Sequence, residues 1–120
     1  MDPKIERLLA LMEENPGERL SLADMAEVVG LSPSRLRHKF KSEIGITPTL
    51  YLQRLRLQRA RELLRREGLS VKEIRAAVGI GSASYFSRRY KRVYGIPPSQ
   101  SRSEQSSAGM TETPPDGIAT

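Results

Sequence analysis

Two groups of basic and hydroxyl-bearing residues, about fifty positions apart, carry the side chains best suited to bind an extended anion. In the second group, within residues 82–102, Phe86, Tyr90 and Val93 recur at i, i+4 and i+7 and predict the apolar stripe of a helix. The opposite side of that helix carries hydroxyl-bearing and cationic side chains: Ser84, Arg88, Lys91 and Arg92. A short helix of this kind can present its polar face to an anion of similar length.

The first group repeats this arrangement within residues 33–45. Leu36, Phe40 and Ile44 form the predicted buried face, and Gly45 ends the helix. The outward side chains are again polar or basic: Ser34, Arg35, His38, Lys41 and Ser42, with Arg37 on the flank.

A short helix is predicted directly before each basic helix. Ser21 and Ser70 are suitable N-cap residues, with acidic residues three positions later. Glu73 completes a capping box with Ser70. A helix, a short turn containing glycine and a second helix with a basic outer face make the helix-turn-helix pattern.

The chain is therefore a tandem repeat. Ser21, Gly30 and Leu31 match Ser70, Gly79 and Ile80 at an offset of 49. Further matches occur at an offset of 50, and they pair Leu36, Phe40, Gly45, Ile46 and Pro48 with Phe86, Tyr90, Gly95, Ile96 and Pro98. The change of offset indicates one extra residue in the second turn, near Gly81. Such regular spacing is the strongest evidence in the sequence for two similar structural units.

A longer helix is predicted between the repeats, beginning at Thr47-Pro48 and running to about Arg66. Nineteen helical residues would span about 28 Å. The sequence thus predicts an all-α domain over residues 1–102: a first lobe (3–46), a linker helix (47–67) and a second lobe (70–102). Residues 103–120 are rich in Ser, Thr, Pro and Gly, and we expect a disordered tail.

Composition excludes several classes of site. The 120 residues include no cysteine and one histidine, so a disulfide, a thiolate site or a zinc centre is not expected, nor is a cofactor. No apolar run is long enough to span a bilayer. Residues 1–102 hold all 20 basic and 11 of the 14 acidic residues, a net charge of +9, whereas the tail is acidic. The charge alone fits a polyanionic partner and a solubilising surface about equally, and the clustering of basic residues on two helices favours the polyanion.

Two basic helices on a stiff linker indicate double-stranded DNA. A recognition helix fits the major groove, and a linker of this length could place two of them about one helical turn, roughly 34 Å, apart. Because the repeats differ in sequence, the site would be bipartite but not palindromic, and one monomer should suffice. The candidates for base contact are Ser34, Arg35, Arg37, His38, Ser84, Tyr85, Ser87 and Arg88. For Tyr85 the alternative is packing, or stacking on a sugar. The candidates for phosphate contact are Lys41, Ser42, Ser82, Arg89, Lys91 and Arg92.

These residues resemble the AraC/XylS family of bacterial transcription regulators over about residues 3–102. The second lobe carries the most specific part of the resemblance: Gly79-Ile80, Ser84-Tyr85-Phe86-Ser87-Arg88, Tyr90-Lys91, Gly95, Pro98 and Arg102. The middle stretch is similar in Pro48, Tyr51-Leu52, Arg54-Leu55-Arg56-Leu57, Ala60 and Leu63-Leu64. The first lobe is similar in Leu22, Ala26, Val29-Gly30-Leu31-Ser32, Leu36, Phe40-Lys41 and Gly45.

The resemblance implies about seven helices in two lobes, binding to promoter DNA, and activation of transcription through RNA polymerase in the bacterial cytoplasm and nucleoid. It assigns base contact to the positions of Ser34, Arg37, His38, Ser84, Ser87 and Arg88. Most members carry an additional sensing or dimerising domain, so this chain is either a stand-alone regulator or a shortened descendant.

Three departures from the family pattern concern the second lobe. Arg75 replaces a small buried residue, so either its side chain snorkels or pairs, or the second lobe packs differently. Ser101 stands where a tyrosine is usual, which predicts loose docking of the last short helix, and Tyr90 replaces a phenylalanine.

Two other functional classes are alternatives to a DNA-binding regulator. The same scaffold could bind polymerase or another regulator without recognising a DNA sequence, and selection from random DNA would distinguish the two. An enzyme is not expected, because the sequence offers one histidine, on the predicted DNA face, and no phosphate-binding glycine loop.

Overall fold

A computed structural model of the chain describes residues 1–66 and 68–101 and contains six complete α-helices. They are α1 (Pro3–Glu14), α2 (Leu22–Val29), α3 (Pro33–Ile44), α4 (Pro48–Leu64), α5 (Val71–Ala77) and α6 (Ala83–Tyr94). Residues 98–101 are also helical, and no strand occurs in the described part of the chain. The all-α prediction is confirmed, whereas the tail prediction for residues 103–120 lies outside the described residues.

Matching capping boxes begin the first helix of each repeat. Ser21 accepts a hydrogen bond from the amide of Asp24 at 3.0 Å, and the Asp24 carboxylate accepts one from the Ser21 amide at 3.0 Å. Ser70 and Glu73 form the same pair of bonds, each 3.0 Å long. Hydrogen bonds to Ser21 hold the pKa of Asp24 below its usual value. These local bonds fix where α2 and α5 start, and so where each turn and recognition helix must follow.

The first hydrophobic core joins α1, α2, α3 and the start of α4. Phe40 from α3 is fully buried, and the Tyr51 ring meets it edge-on at 5.6 Å between centroids. The other buried members are aliphatic or methionine side chains: Ile5, Leu8, Met12, Met25, Ala26, Val29, Leu36 and Leu52. The apolar stripe of α1 therefore serves packing, and it supports the helix-turn-helix of α2 and α3.

The second core packs the rest of α4 against α5 and α6. Phe86 and Tyr90 of α6 are buried and meet with their ring centroids 5.9 Å apart. The remaining buried members are aliphatic: Leu57, Ala60, Leu63, Leu64, Ile74, Val78 and Ile80. Because α4 supplies buried side chains to both cores, it is a structural part of both lobes rather than a free linker. It has 17 residues, or about 26 Å, slightly shorter than predicted.

Arg75 finds hydrogen-bond partners in the turn of the second repeat, which is one of the outcomes that the sequence left open. Its Nη1 atom donates to the carbonyl oxygens of Ile80 at 3.1 Å and Gly81 at 2.7 Å. The equivalent residue of the first lobe, Ala26, is buried, and the turn of that lobe is one residue shorter. The guanidinium therefore satisfies carbonyl groups in the longer second turn.

The predicted loose docking after α6 is wrong. Ser101 is buried, and its hydroxyl lies 2.8 Å from the Tyr90 hydroxyl within hydrogen-bonding distance. Tyr90 and Ser101, two of the three departures from the family pattern, thus complement each other, because the tyrosine hydroxyl meets the serine hydroxyl inside the second lobe.

We expect Tyr90→Phe to lower the free energy of unfolding by about 1–2 kcal/mol, because the buried Ser101 hydroxyl would lose its partner. Urea denaturation should measure the change. The double variant Tyr90→Phe/Ser101→Ala should recover most of the loss, since neither hydroxyl remains. A single variant as stable as the parent would show that this hydrogen bond contributes nothing.

Candidate nucleic-acid interface

The first recognition surface is the outward face of α3. Leu36 and Phe40 are fully buried one turn apart, so they fix which side of the helix faces away from the protein. All six predicted contact residues on this helix are exposed: Ser34, Arg35, Arg37, His38, Lys41 and Ser42. Ser32 caps α3 by accepting a hydrogen bond from the Arg35 amide at 3.2 Å. The helix therefore offers a cationic, hydroxyl-bearing face at the molecular surface.

The second recognition surface is the outward face of α6, fixed in the same way by buried Phe86 and Tyr90. Ser82 caps the helix through a 3.1 Å hydrogen bond from the Tyr85 amide. The exposed candidates at this surface are Ser82, Ser84, Ser87, Arg88, Lys91 and Arg92. The Arg88 Nε atom lies 3.4 Å from the Ser84 carbonyl oxygen, which aligns the side chain along this face.

Tyr85 and Arg89 differ from the other twelve candidates because they are half-buried. The Tyr85 hydroxyl donates to the side-chain carbonyl of Gln53 on α4, and its ring packs against the second core. The Nε atom of Arg89 is buried without a hydrogen-bond partner in the described structure. Both side chains thus lie partly within the contact of α6 with the protein, and less of each is available to DNA.

An ion pair at the edge of the first surface was missed in the sequence. The Asp2 carboxylate lies 2.9 Å from the Lys39 Nζ atom and also caps α1 by accepting from the Lys4 amide at 2.7 Å. The hydrogen bond from Lys39 is the main reason that the pKa of Asp2 is lowered. The Asp2 amide donates to Glu43 at 2.9 Å. Asp2 before Pro3 is a recognisable N-cap signal, but its link to α3 depends on the fold.

The described molecule is long enough to span two successive major grooves. Its principal dimensions are 46 × 25 × 22 Å, whereas one turn of B-form DNA rises about 34 Å. Helix α4 packs against α1 and α3 at one end and against α5 and α6 at the other. Each recognition helix is therefore attached through its own lobe to one shared element.

Neither a candidate metal cluster nor a candidate membrane-spanning helix occurs among the described residues. Residues 1–66 and 68–101 bring no three metal-ligating side chains of the types histidine, cysteine, aspartate or glutamate together. Within the same ranges, every helix lacks the length and apolar character needed to cross a bilayer.

Comparison with known proteins agrees with this geometry. A family model described as a helix-turn-helix domain matches residues 25–104. The crystal structure of a Chromobacterium violaceum transcriptional regulator, of the AraC-type DNA-binding-domain-containing proteins, superposes with a TM-score of 0.79 at 37% sequence identity. The match covers 89% of this chain and 96% of that one. The chain belongs to the AraC-type helix-turn-helix family.

Two curated AraC-type relatives are longer proteins. The transcriptional regulator GbdR of Pseudomonas aeruginosa is 36% identical over 103 residues, which are 86% of this chain and 28% of GbdR. The transcriptional activator RhaS of Salmonella schwarzengrund is 38% identical over 97 residues, which are 81% of this chain and 35% of RhaS. The chain thus spans about a third of the length of these relatives, and the similarity covers its helix-turn-helix region.

Proposed function

We propose that this AraC-type chain binds a bipartite, non-palindromic DNA site and regulates transcription there, with α3 and α6 in successive major grooves. One observation carries the proposal: both repeats expose a basic, hydroxyl-bearing helix face, and both lobes pack on the same helix α4. Residues 1–102 form the DNA-binding unit in this proposal. A single copy carries both recognition helices, so the protein binds as a monomer.

Base recognition is assigned to the exposed side chains in the first turns of each recognition helix. The guanidinium of Arg88 can donate two parallel hydrogen bonds to guanine O6 and N7. Ser84 and Ser87 flank it on α6, while Ser34, Arg37 and His38 occupy the comparable region of α3. Because these two sets differ, the two half-sites should have different sequences.

Phosphate contacts are assigned to Lys41 on α3 and to Lys91 and Arg92 on α6. These cations lie in the later turns of their helices and are exposed. Contacts to phosphate fix the register of a protein on the duplex but carry no direct sequence information. Ser42 and Ser82 can add hydrogen bonds from their hydroxyl groups, and Arg89 can add only the part of its side chain that remains exposed.

The cellular setting follows from DNA as the partner. We place the protein on the bacterial nucleoid, in the cytoplasm. We propose activation through contact with RNA polymerase, since RhaS is named a transcriptional activator. No catalytic role is proposed, because the surfaces described present binding groups rather than a nucleophile with an adjacent base.

The test compares Arg88→Ala with Lys91→Ala in gel-shift titrations on a preferred site and on sites changed at single base pairs. Arg88→Ala should weaken the preferred site by about 1–3 kcal/mol and flatten the preference at one position, because the guanine contact is lost. Lys91→Ala should weaken all sequences about equally. Equal, sequence-independent losses from both variants would contradict the role of Arg88.

A further inference from the structure

The two lobes touch directly at a second place, away from their shared packing on α4. The loop between α1 and α2 lies against the end of α5, with Gly17 facing the backbone of Ala77 and Gly79. A Cβ atom added at Gly17 would come within 3.0 Å of the Ala77 carbonyl oxygen, a distance that real Cβ atoms essentially never show. One added at Gly79 would lie 2.7 Å from the Gly17 carbonyl oxygen. The approach is therefore between two backbones.

Arg56 holds this loop in place from α4. Its Nε atom donates to the Pro16 carbonyl oxygen at 2.7 Å, and its Nη2 atom donates to the Glu18 carbonyl oxygen at 2.9 Å. The two bonded carbonyls flank Gly17, so a single guanidinium fixes the peptide that faces α5. Arg56 is half-buried, and burial is the main reason that its pKa is lowered.

The second side of the contact is part of the turn that leads into α6. Gly79 has a φ of 78°, in the left-handed region, and follows the last residues of α5. Arg75 bonds the next two carbonyls, those of Ile80 and Gly81. The peptide chain that meets Gly17 is thus continuous with the turn that determines where the second recognition helix begins.

We infer that this loop-to-turn contact, clamped by Arg56, sets the distance and rotation between α3 and α6 and thereby the spacing of half-sites that the protein accepts. Both lobes share α4, and the direct backbone contact between them is a second, independent constraint on their relative position. Gly17, Gly79 and Arg56 are positioning residues in this view. The effect on half-site spacing rests on the proposed function, whereas the effect on the distance and rotation between α3 and α6 does not.

The decisive experiment measures the distance between the recognition helices without DNA. The chain has no cysteine, so spin labels on Ser42→Cys in α3 and Arg92→Cys in α6 would be the only two labels for pulsed dipolar spectroscopy. We expect Gly17→Ala to shift or broaden the distance distribution by about 1 Å or more, the displacement needed to relieve the backbone overlap. Arg56→Lys should broaden it as well, because one ammonium group cannot hold both carbonyls.

Matched controls separate this effect from a general response to substitution. Gly81→Ala adds the same methyl group in open space, at a residue whose φ is not in the left-handed region. Arg59→Lys makes the same exchange at an exposed position of α4. Both should keep the parent distribution. Parent-like distributions in folded Gly17→Ala and Arg56→Lys would overturn the inference, and Arg56→Lys decides alone if Gly17→Ala does not fold.

The functional arm uses unlabelled protein and duplexes in which one base pair is inserted or deleted between half-sites. Each base pair moves the second half-site by about 3.4 Å and 35°. The parent should discriminate against altered spacing on the order of tenfold, and Gly17→Ala should reduce that ratio about fivefold. An unchanged ratio would overturn the spacing role. Because the distance measurement contains no DNA, failure of the proposed function would still leave the mechanical claim testable.

Discussion

Raising the salt concentration from about 50 to about 200 mM should weaken DNA binding by on the order of 10³-fold or more, if six phosphates are engaged. Binding releases counterions from those phosphates, and this release becomes less favourable as the salt concentration rises. The phosphate-contact candidates on the two recognition surfaces also number six: Lys41, Ser42, Ser82, Arg89, Lys91 and Arg92. Fluorescence anisotropy of a labelled duplex, titrated at several salt concentrations, would give the slope of log affinity against log salt.

Two variants test whether this slope reports phosphate contacts made by the recognition helices. Lys91→Ala should reduce its magnitude by about 1, because one phosphate contact is removed. Arg7→Ala should leave it unchanged, since Arg7 is exposed on α1, outside the two recognition helices. A decrease of less than about tenfold over the same range would contradict a binding mode dominated by phosphate contacts.

Phe86→Ala should lower the free energy of unfolding by about 3–5 kcal/mol. Phe86 is 1% exposed and meets Tyr90 inside the second core, so the truncation removes contacts and leaves a cavity. A loss of this size is a large part of the 5–15 kcal/mol that is typical of whole domains. Because Phe86 anchors α6, the second half-site should lose its contribution to binding.

Urea denaturation followed by circular dichroism would measure this loss. Ser87→Ala is the matched control, because Ser87 is the next residue on α6 and is exposed. It should change stability by less than about 0.5 kcal/mol while remaining a test of base contact. A Phe86→Ala protein within about 1 kcal/mol of the parent would show that α6 is not anchored by this ring.

The helices and their outward faces could be predicted because their signals are local. N-cap serines, left-handed glycines and apolar residues three or four positions apart specify each helix within one or two turns. The start of α1 at Pro3 and the glycines at the ends of α3 and α6 are clear examples. The tandem repeat supported these predictions, because the residue pattern of each lobe separately indicates a helix, a turn and a second helix.

Tyr85 and Arg89 could not be placed from the sequence because they lie on the flanks of the apolar stripe of α6. A flank position faces either solvent or the neighbouring helix, depending on where that helix lies. The partner of Tyr85 is Gln53, 32 residues earlier in the chain. Helical periodicity places a side chain on a helix but not against a distant element.

The contact of Gly17 with Ala77 and Gly79 was likewise beyond local reasoning. Asn15-Pro16-Gly17 indicates a turn after the first helix. A turn is a sufficient reason for a glycine at position 17, so the sequence gives no sign that Gly17 also contacts the second lobe. Arg56 similarly resembles any basic residue on an amphipathic helix. Only the fold shows that the two carbonyls beside Gly17 lie within reach of one guanidinium.

We propose that one chain places two different recognition helices on one DNA site at the same time. Selection of bound duplexes from a random-sequence pool tests it most directly. The predicted result is one bipartite motif whose two unlike halves lie about one helical turn, 10–10.5 base pairs, apart. A pool that binds in a salt-sensitive manner without enriching any motif, or that yields a single half-site or a palindrome, would contradict it.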